Sequence, residues 1–239
     1  MNFFNMQINI KSNSDALKMK NIRLMTSNSE IIYLFNTDKR FYKATQWLDK
    51  SIDGQVPLMC TKIIKNNDLG RVSGSEMIFD ICALASKKSE KIFFLGGSKE
   101  VNKLAKQNVS KNYNVEVGSY SPPFEDYPFT METDEKIKKK ISQFKPDYLI
   151  VCFDAYKSYL WIGENKEFFD QESISFVSGF GGTINILAEN LPKCPRIVKN
   201  MGLESLYRLC LEPNKKRLFR IFKSLIGITY LLRGNKFIN

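Results

Sequence analysis

Gly96 and Gly97 in FFLGGSKE (93–100), and Gly181 and Gly182 in GFGGTINILAEN (179–190), sit where an apolar run meets a helical pattern. A glycine turn at that position exposes backbone N–H groups that can hold a phosphate. Neither turn reads G-x-G-x-x-G, and no lysine-serine pair of a P-loop follows. The chemistry indicated is therefore anion binding in general, and a tight turn made for steric reasons is the plain alternative. Asp53 in SIDGQVP is a carboxylate on a turn between apolar segments. It can serve as a general base, or simply form an Asp-Gly turn. The chain contains no His. Any general base must then be Asp, Glu, Lys, Tyr or Cys.

A second feature points to an anion. From Lys193 to the end there are eleven Lys or Arg against two acids, Glu204 and Glu212, a balance of +9 within a total of +11. Such asymmetry fits a face for phosphate, anionic lipid or nucleic acid, or else a solvated basic helix. No RNP, KH, zinc-finger or helix-turn-helix signature accompanies it, so nucleic acid is not an expected partner. The segment 214–237 mixes Leu218, Phe222, Leu225, Ile226 and Tyr230 with Lys215, Lys216, Arg217, Arg220 and Lys223. That mixture suits an amphipathic helix lying on an anionic membrane, or a terminal helix packed on the domain.

The five Cys are odd in number and never spaced C-x-x-C. With no His, a metal site is not expected, and a reducing cytoplasm is. The N-terminus lacks the apolar core of a secretory signal, and no apolar run approaches the ~18 residues of a spanning helix.

Several elements must position these residues. Ile31 to Phe35 reads as a buried strand, and DKRFYKATQWLDKSI (38–52) shows helical spacing at Phe41, Ala44, Trp47 and Leu48. SGSEMIFDICALASKK (73–88) reads as a capped helix. Residues 91–113 read as strand, Gly-Gly turn and helix, VEVGSYSPPF as a short strand ending in a Pro-Pro loop, and 133–165 as helix, strand, loop and helix. A further strand precedes Gly179, and the chain reads as helical from about residue 200. Strands alternating with helices over 30–190 predict an α/β, Rossmann-like fold, a mostly parallel sheet with helices on both faces. Residues 1–192 are then a catalytic α/β domain, and 193–239 a basic helical appendage. Ligands bind such sheets at the carboxyl ends of the strands. Those ends carry Asn36 to Lys39, Gly96 to Ser98, Asp154 to Lys157, and Gly179 to Thr183.

In this order the pieces resemble the WecG/TagA/CpsF family of bacterial glycosyltransferases, glycosyltransferase family 26, over roughly residues 30–222. The longest match is PKCPRIVKNMGLESLYRLCLEP, where the family reads R-A-P-x-x-x-x-x-x-G-L-E-W-x-x-R-L-x-x-E-P. Pro195, Gly202, Leu203, Glu204, Arg208, Leu209, Glu212 and Pro213 agree, and Lys193 stands at the first arginine. IDG (52–54), RVSGSEMI (71–78), FFLGG (93–97), Lys157, Trp161 and GFGGTINILAE (179–189) support it.

The resemblance implies an inverting, metal-independent hexosyltransferase without a cofactor. It would move N-acetylmannosamine, its uronic acid or glucose from a UDP-sugar to a polyprenyl-diphosphate-linked sugar. Its product would feed teichoic acid, capsule, common antigen or exopolysaccharide. The implied base is Asp53. Implied nucleotide-sugar contacts are Asn36, Gly96, Gly97, Lys157, Gly181, Gly182 and Asn185. Lys193, Arg196, Arg208, Arg217 and Arg220 would face the acceptor diphosphate or the anionic inner face of the cell membrane, and a homo-oligomer is compatible with the family. Departures from the family pattern lie at the sugar-nucleotide end. The loop G-x-P-x-Q-E-x-W reads Asp154-Ala-Tyr-Lys157-Ser-Tyr-Leu-Trp161 here, and F-D reads Ile184-Asn185. They imply either a different donor sugar or a weakened homologue that binds lipid-linked sugar or a partner enzyme without turnover.

Overall fold

A computed structural model of the chain describes residues 2–65, 69–192, 194–211, 213 and 215–230. A hairpin of β1 (Asn2–Phe3) and β2 (Met6–Gln7) leads to α1 (Asn13–Lys18), β3 (Ile22–Ser27), α2 (Ser29–Thr37), α3 (Lys39–Thr45), β4 (Asp49–Ile52) and α4 (Gln55–Lys65). Then follow α5 (Gly74–Lys88), β5 (Ile92–Leu95), α6 (Lys99–Tyr113), β6 (Val117–Tyr120), α7 (Met131–Phe144) and β7 (Tyr148–Val151). The chain continues through α8 (Ala155–Glu164), α9 (Lys166–Gln171), β8 (Phe176–Gly179) and α10 (Thr183–Leu187) to α11 (Arg196–Asn200), α12 (Glu204–Leu211) and α13 (Lys215–Thr229).

Six strands form one sheet in the order β4-β3-β8-β7-β5-β6, parallel at β3/β8, β8/β7, β7/β5 and β5/β6, with helices around it. The α/β reading holds. Strands β5 (IFFL) and β7 (YLIV) are buried along their whole length, as parallel strands covered on both faces are. The chain divides into two compact units. One comprises Met1–Ala16, Met25–Ser73 and Lys193–Asn239, the other Leu17–Leu24 and Gly74–Pro192.

Two expectations are corrected. Ile31 to Phe35 is not a strand but the middle of α2. Five apolar residues fit either element. The caps decide: Asn28 accepts from the Ile31 N–H at one end, and the Asp38 N–H donates to Leu34 O at the other. The strand lies just before, at Ile22 to Ser27, where Arg23 disguises it. That side chain is buried, donating to Ile174 O at 2.8 Å and lying 5.7 Å over the Phe169 ring. The helical reading of 38–52 is cut short. α3 stops at Thr45, and Asp49 to Ile52 form β4.

Lys50 causes part of that stop. Its buried ammonium donates to Gln46 O and Leu48 O, both at 2.7 Å, and so satisfies carbonyls at the end of α3. Burial lowers its pKa from the ordinary 10.5 to about 8, partly offset by Asp49. The unfolded chain therefore holds this proton to higher pH than the folded one, so stability from this group rises as pH goes from 8 towards 10.5. Between pH 8 and 9 the expected gain is about 1 kcal/mol. Urea unfolding at both pH values should show that gain in wild type and not in Lys50→Met.

Candidate active site

The register of the sheet brings the sequence motifs together. Leu95 pairs with Tyr120 and with Val151, and Val151 pairs with Gly179. The carboxyl ends of β6, β5, β7 and β8 are thus level, and the turns that follow open on one edge. Gly96 leaves β5 with φ +104°, a conformation that L side chains rarely adopt. A Cβ there would come within 2.7 Å of the Phe153 ring and 3.1 Å of the Cys152 carbonyl carbon. The fold itself therefore requires that glycine. Gly97 faces Ile184, and Gly181 faces Phe153 O, each at 3.3 Å from an added Cβ. Gly182 differs: a Cβ added there meets nothing within 4 Å. Packing does not require glycine at that position. Asn185 follows on the short helix α10, its N–H donating to Gly182 O at 3.2 Å and its carbonyl accepting from Asn190.

Two positioning side chains escaped the sequence reading. Asn102, buried in α6, donates to Gly96 O at 2.7 Å and Phe94 O at 3.3 Å. Ser121 Oγ bonds Gly96 O and Ser98 O, each at 3.4 Å. An asparagine on the apolar stripe of α6 was the available signal for the first. Nothing in sequence marks the second.

Lys157 stands on the first turn of α8, capped by Asp154, which accepts from the Lys157 N–H at 3.0 Å. Its ammonium donates to Glu125 O at 2.5 Å and lies between the Phe124 and Phe129 rings, 5.2 and 5.6 Å from their centroids. The amine thus holds the 121–130 segment. Trp161 of the same helix is fully buried, its Nε1 donating to Asp134 at 2.7 Å, a role in packing α7. Asn36 is likewise internal. It is fully buried, donates to Phe4 O and Ile32 O, and accepts from Asn5 Nδ2 at 2.6 Å. It fastens the N-terminal hairpin to α2.

Asp53 and the basic segment belong to the other compact unit. Asp53 directly follows β4, and its N–H donates to Ser27 O at 3.0 Å. Its Oδ1 accepts from the Gly54 N–H at 2.7 Å, which fixes the carboxylate at the start of α4. The turn before α12 presses on the same place. Gly202 has φ +77°, and a Cβ there would stand 2.9 Å from Val56 Cγ2 and 3.8 Å from Gln55 Cβ. The Gly-Leu-Glu motif and the Asp-Gly motif, 149 positions apart, are thereby neighbours. On α12, Arg208 donates from Nε and Nη2 to Glu204 Oε1 at 3.1 and 3.0 Å, so that Glu204 orients the guanidinium. Lys193 and the side chains of Arg196, Arg217 and Arg220 lie outside the described residues.

One unit carries a carboxylate on a fixed turn and a guanidinium braced by Glu204, and the other a level row of glycine turns; each is of a kind that suits chemistry on a phosphate-bearing ligand. The N-acetylglucosaminyldiphosphoundecaprenol N-acetyl-beta-D-mannosaminyltransferases of Staphylococcus aureus strains MRSA252, NCTC 8325 / PS 47 and COL are similar to this chain. Each is 23% identical over 206 residues, which span 85% of this chain and 78% of the relative. The model of the Glycosyl transferase WecG/TagA/CpsF family matches residues 4–237, and the chain belongs to that family.

Proposed function

We propose that the protein is a hexosyltransferase that moves N-acetylmannosamine, or a closely related hexose, from a UDP-sugar to a polyprenyl-diphosphate-linked N-acetylglucosamine. Family membership carries this reading, because the family is one of glycosyl transferases and the match takes in nearly the whole chain. The transferred sugar and the acceptor are taken from the name of the similar S. aureus enzymes. Asp53 removes the proton from the acceptor hydroxyl as its oxygen attacks the anomeric carbon from the face opposite the departing UDP. The glycine turns and the basic side chains, Arg208 among them, balance the charge that grows on the diphosphate, without a metal.

The test is transfer from a panel of UDP-sugars to a polyprenyl-diphosphate-N-acetylglucosamine analogue in EDTA. Turnover with UDP-N-acetylmannosamine supports the reading in full. Turnover with another UDP-hexose corrects the donor. Turnover only with added metal removes the metal-independent mechanism.

The acceptor is lipid-linked, so the enzyme works at a membrane, in this reading the inner face of the cell membrane. No described helix is long and apolar enough to cross one. Contact from the surface is supported by α13, where Leu218, Phe219, Phe222, Leu225 and Ile226 are exposed along a helix that also carries Lys215 and Lys223. Deleting residues 214–239 is expected to reduce binding to vesicles containing anionic lipid at least several-fold, read by co-sedimentation. Undiminished binding would refute the membrane role of that helix.

A further inference from the structure

The segment between β6 and α7 carries an aromatic side chain that stands in solvent apart from its contact with Lys157. Phe124 is 90% exposed. A single exposed aromatic needs no explanation by itself. This one, however, is held in place. Pro122 and Pro123 restrict the backbone before it. The Lys157 ammonium lies over its ring at 5.2 Å while donating to the neighbouring Glu125 O. Phe129, also against Lys157, meets Phe153 edge-on at 5.2 Å, and Phe153 in turn flanks Gly96.

The segment is also tied to the glycine turn. Ser121 bonds Gly96 O and Ser98 O, and Phe124 stands three residues further on. Three residues span at most about 11 Å, a distance comparable with the length of a nucleotide. A second observation is independent of the ring. Glu125 Oε1 is buried and has no hydrogen-bond partner among the described residues. A buried acceptor of this kind is costly unless a donor reaches it. An exposed ring, an unmet carboxylate oxygen and a phosphate-type turn form one continuous stretch of this unit. In kind they suit a base, a ribose hydroxyl and a diphosphate, the parts of a nucleoside diphosphate.

We propose that Phe124 is the stacking platform for the nucleobase of the donor, and so a specificity-determining residue of the transferase. This rests on the UDP-sugar reading above. Base stacking on an aromatic side chain tolerates many geometries and needs only an accessible ring face, which Phe124 offers opposite Lys157.

The experiment measures binding of UMP, UDP and inorganic pyrophosphate to the full chain by calorimetry, in wild type, Phe124→Ala and Phe124→Trp. Because the side chain is exposed, both variants should keep the wild-type circular dichroism and melting midpoint. Phe124→Ala is expected to weaken UMP and UDP alike by about 10-fold or more, with pyrophosphate unchanged and Phe124→Trp within about threefold of wild type. In turnover the same variant should raise KM for the UDP-sugar and leave kcat within about twofold. Wild-type affinity of Phe124→Ala for UMP and UDP would overturn the platform and leave the donor reading intact. A loss seen only with the UDP-sugar would place the hexose, not the base, on the ring. Failure of wild type to bind any uridine nucleotide would overturn the donor reading and the platform with it.

Discussion

Asp53→Asn is expected to fold as the wild type does and to lose transfer by about 10²- to 10⁴-fold, the range that a positioned general base supplies. The substitution is isosteric and keeps two hydrogen bonds of this turn. The folded state uses Asp53 Oδ1 as an acceptor for the Gly54 N–H and the Asp53 N–H as a donor to Ser27 O. A carboxamide keeps an oxygen for the first, and the second involves only backbone. What it lacks is basicity. The reaction needs a base because the acceptor hydroxyl must lose its proton as the glycosidic bond forms, and the chain has no His to take that proton. Binding of the UDP-sugar should be little changed, so the loss should fall on kcat. A variant that transfers at the wild-type rate would remove Asp53 from the base role. A variant that unfolds would show that the Asp-Gly turn itself depends on the charge.

The motifs were more legible than the elements carrying them. Gly96 was visible because a positive φ against Phe153 and the Cys152 backbone leaves only one residue type that fits. Asp53 was visible as half of an Asp-Gly turn. Strand β3 was not, because Arg23 interrupts its apolar run, and the Ile174 carbonyl, the Asp170 carboxylate and the Phe169 ring that receive that arginine are distant in sequence. The same non-locality explains Asn36. In sequence it follows an apolar run and resembles a loop residue at a strand end; in the fold its amide is enclosed by Phe4, Asn5 and Ile32. Lys157, expected in the loop after β7, stands on the first turn of α8. Its bond to Glu125 O and its place between two rings depend on a segment some thirty positions away, which no local pattern encodes. Gly202 is the clearest instance of distance hiding a reason. The Gly-Leu-Glu motif reads locally as a helix start, and its contact with Val56 appears only when the chain is folded.

Gly227→Ala is expected to detach α13 and to lower stability by about 3 kcal/mol, near the upper end of ordinary overpacking effects. α13 crosses α2 at this glycine. A Cβ there would fall inside contact distance of Ser29 O, with Ser29 C at 3.1 Å and Tyr33 N at 3.2 Å. Those neighbours are backbone atoms of a helix, so no side-chain rotation can relieve the clash, and the two helices must separate along the crossing. Ile221, Ser224, Gly227 and Ile228 are among the less exposed described positions of α13, spaced as one helical face, and that face would lose its contact with α2. The apolar side chains on the rest of the helix are already in solvent, so little else would hold it. Trypsin should then cut within residues 215–223 much faster than in wild type, and the melting midpoint should fall by several degrees. On the membrane role proposed for α13, transfer to a lipid-linked acceptor should fall more than transfer to a short-chain acceptor. Unchanged protease resistance and melting would show that the close approach at Gly227 is not what seats α13. Equal losses with both acceptors would show that seating α13 matters to the Asp53 turn as well, through the run of helices that begins where Gly202 meets Val56.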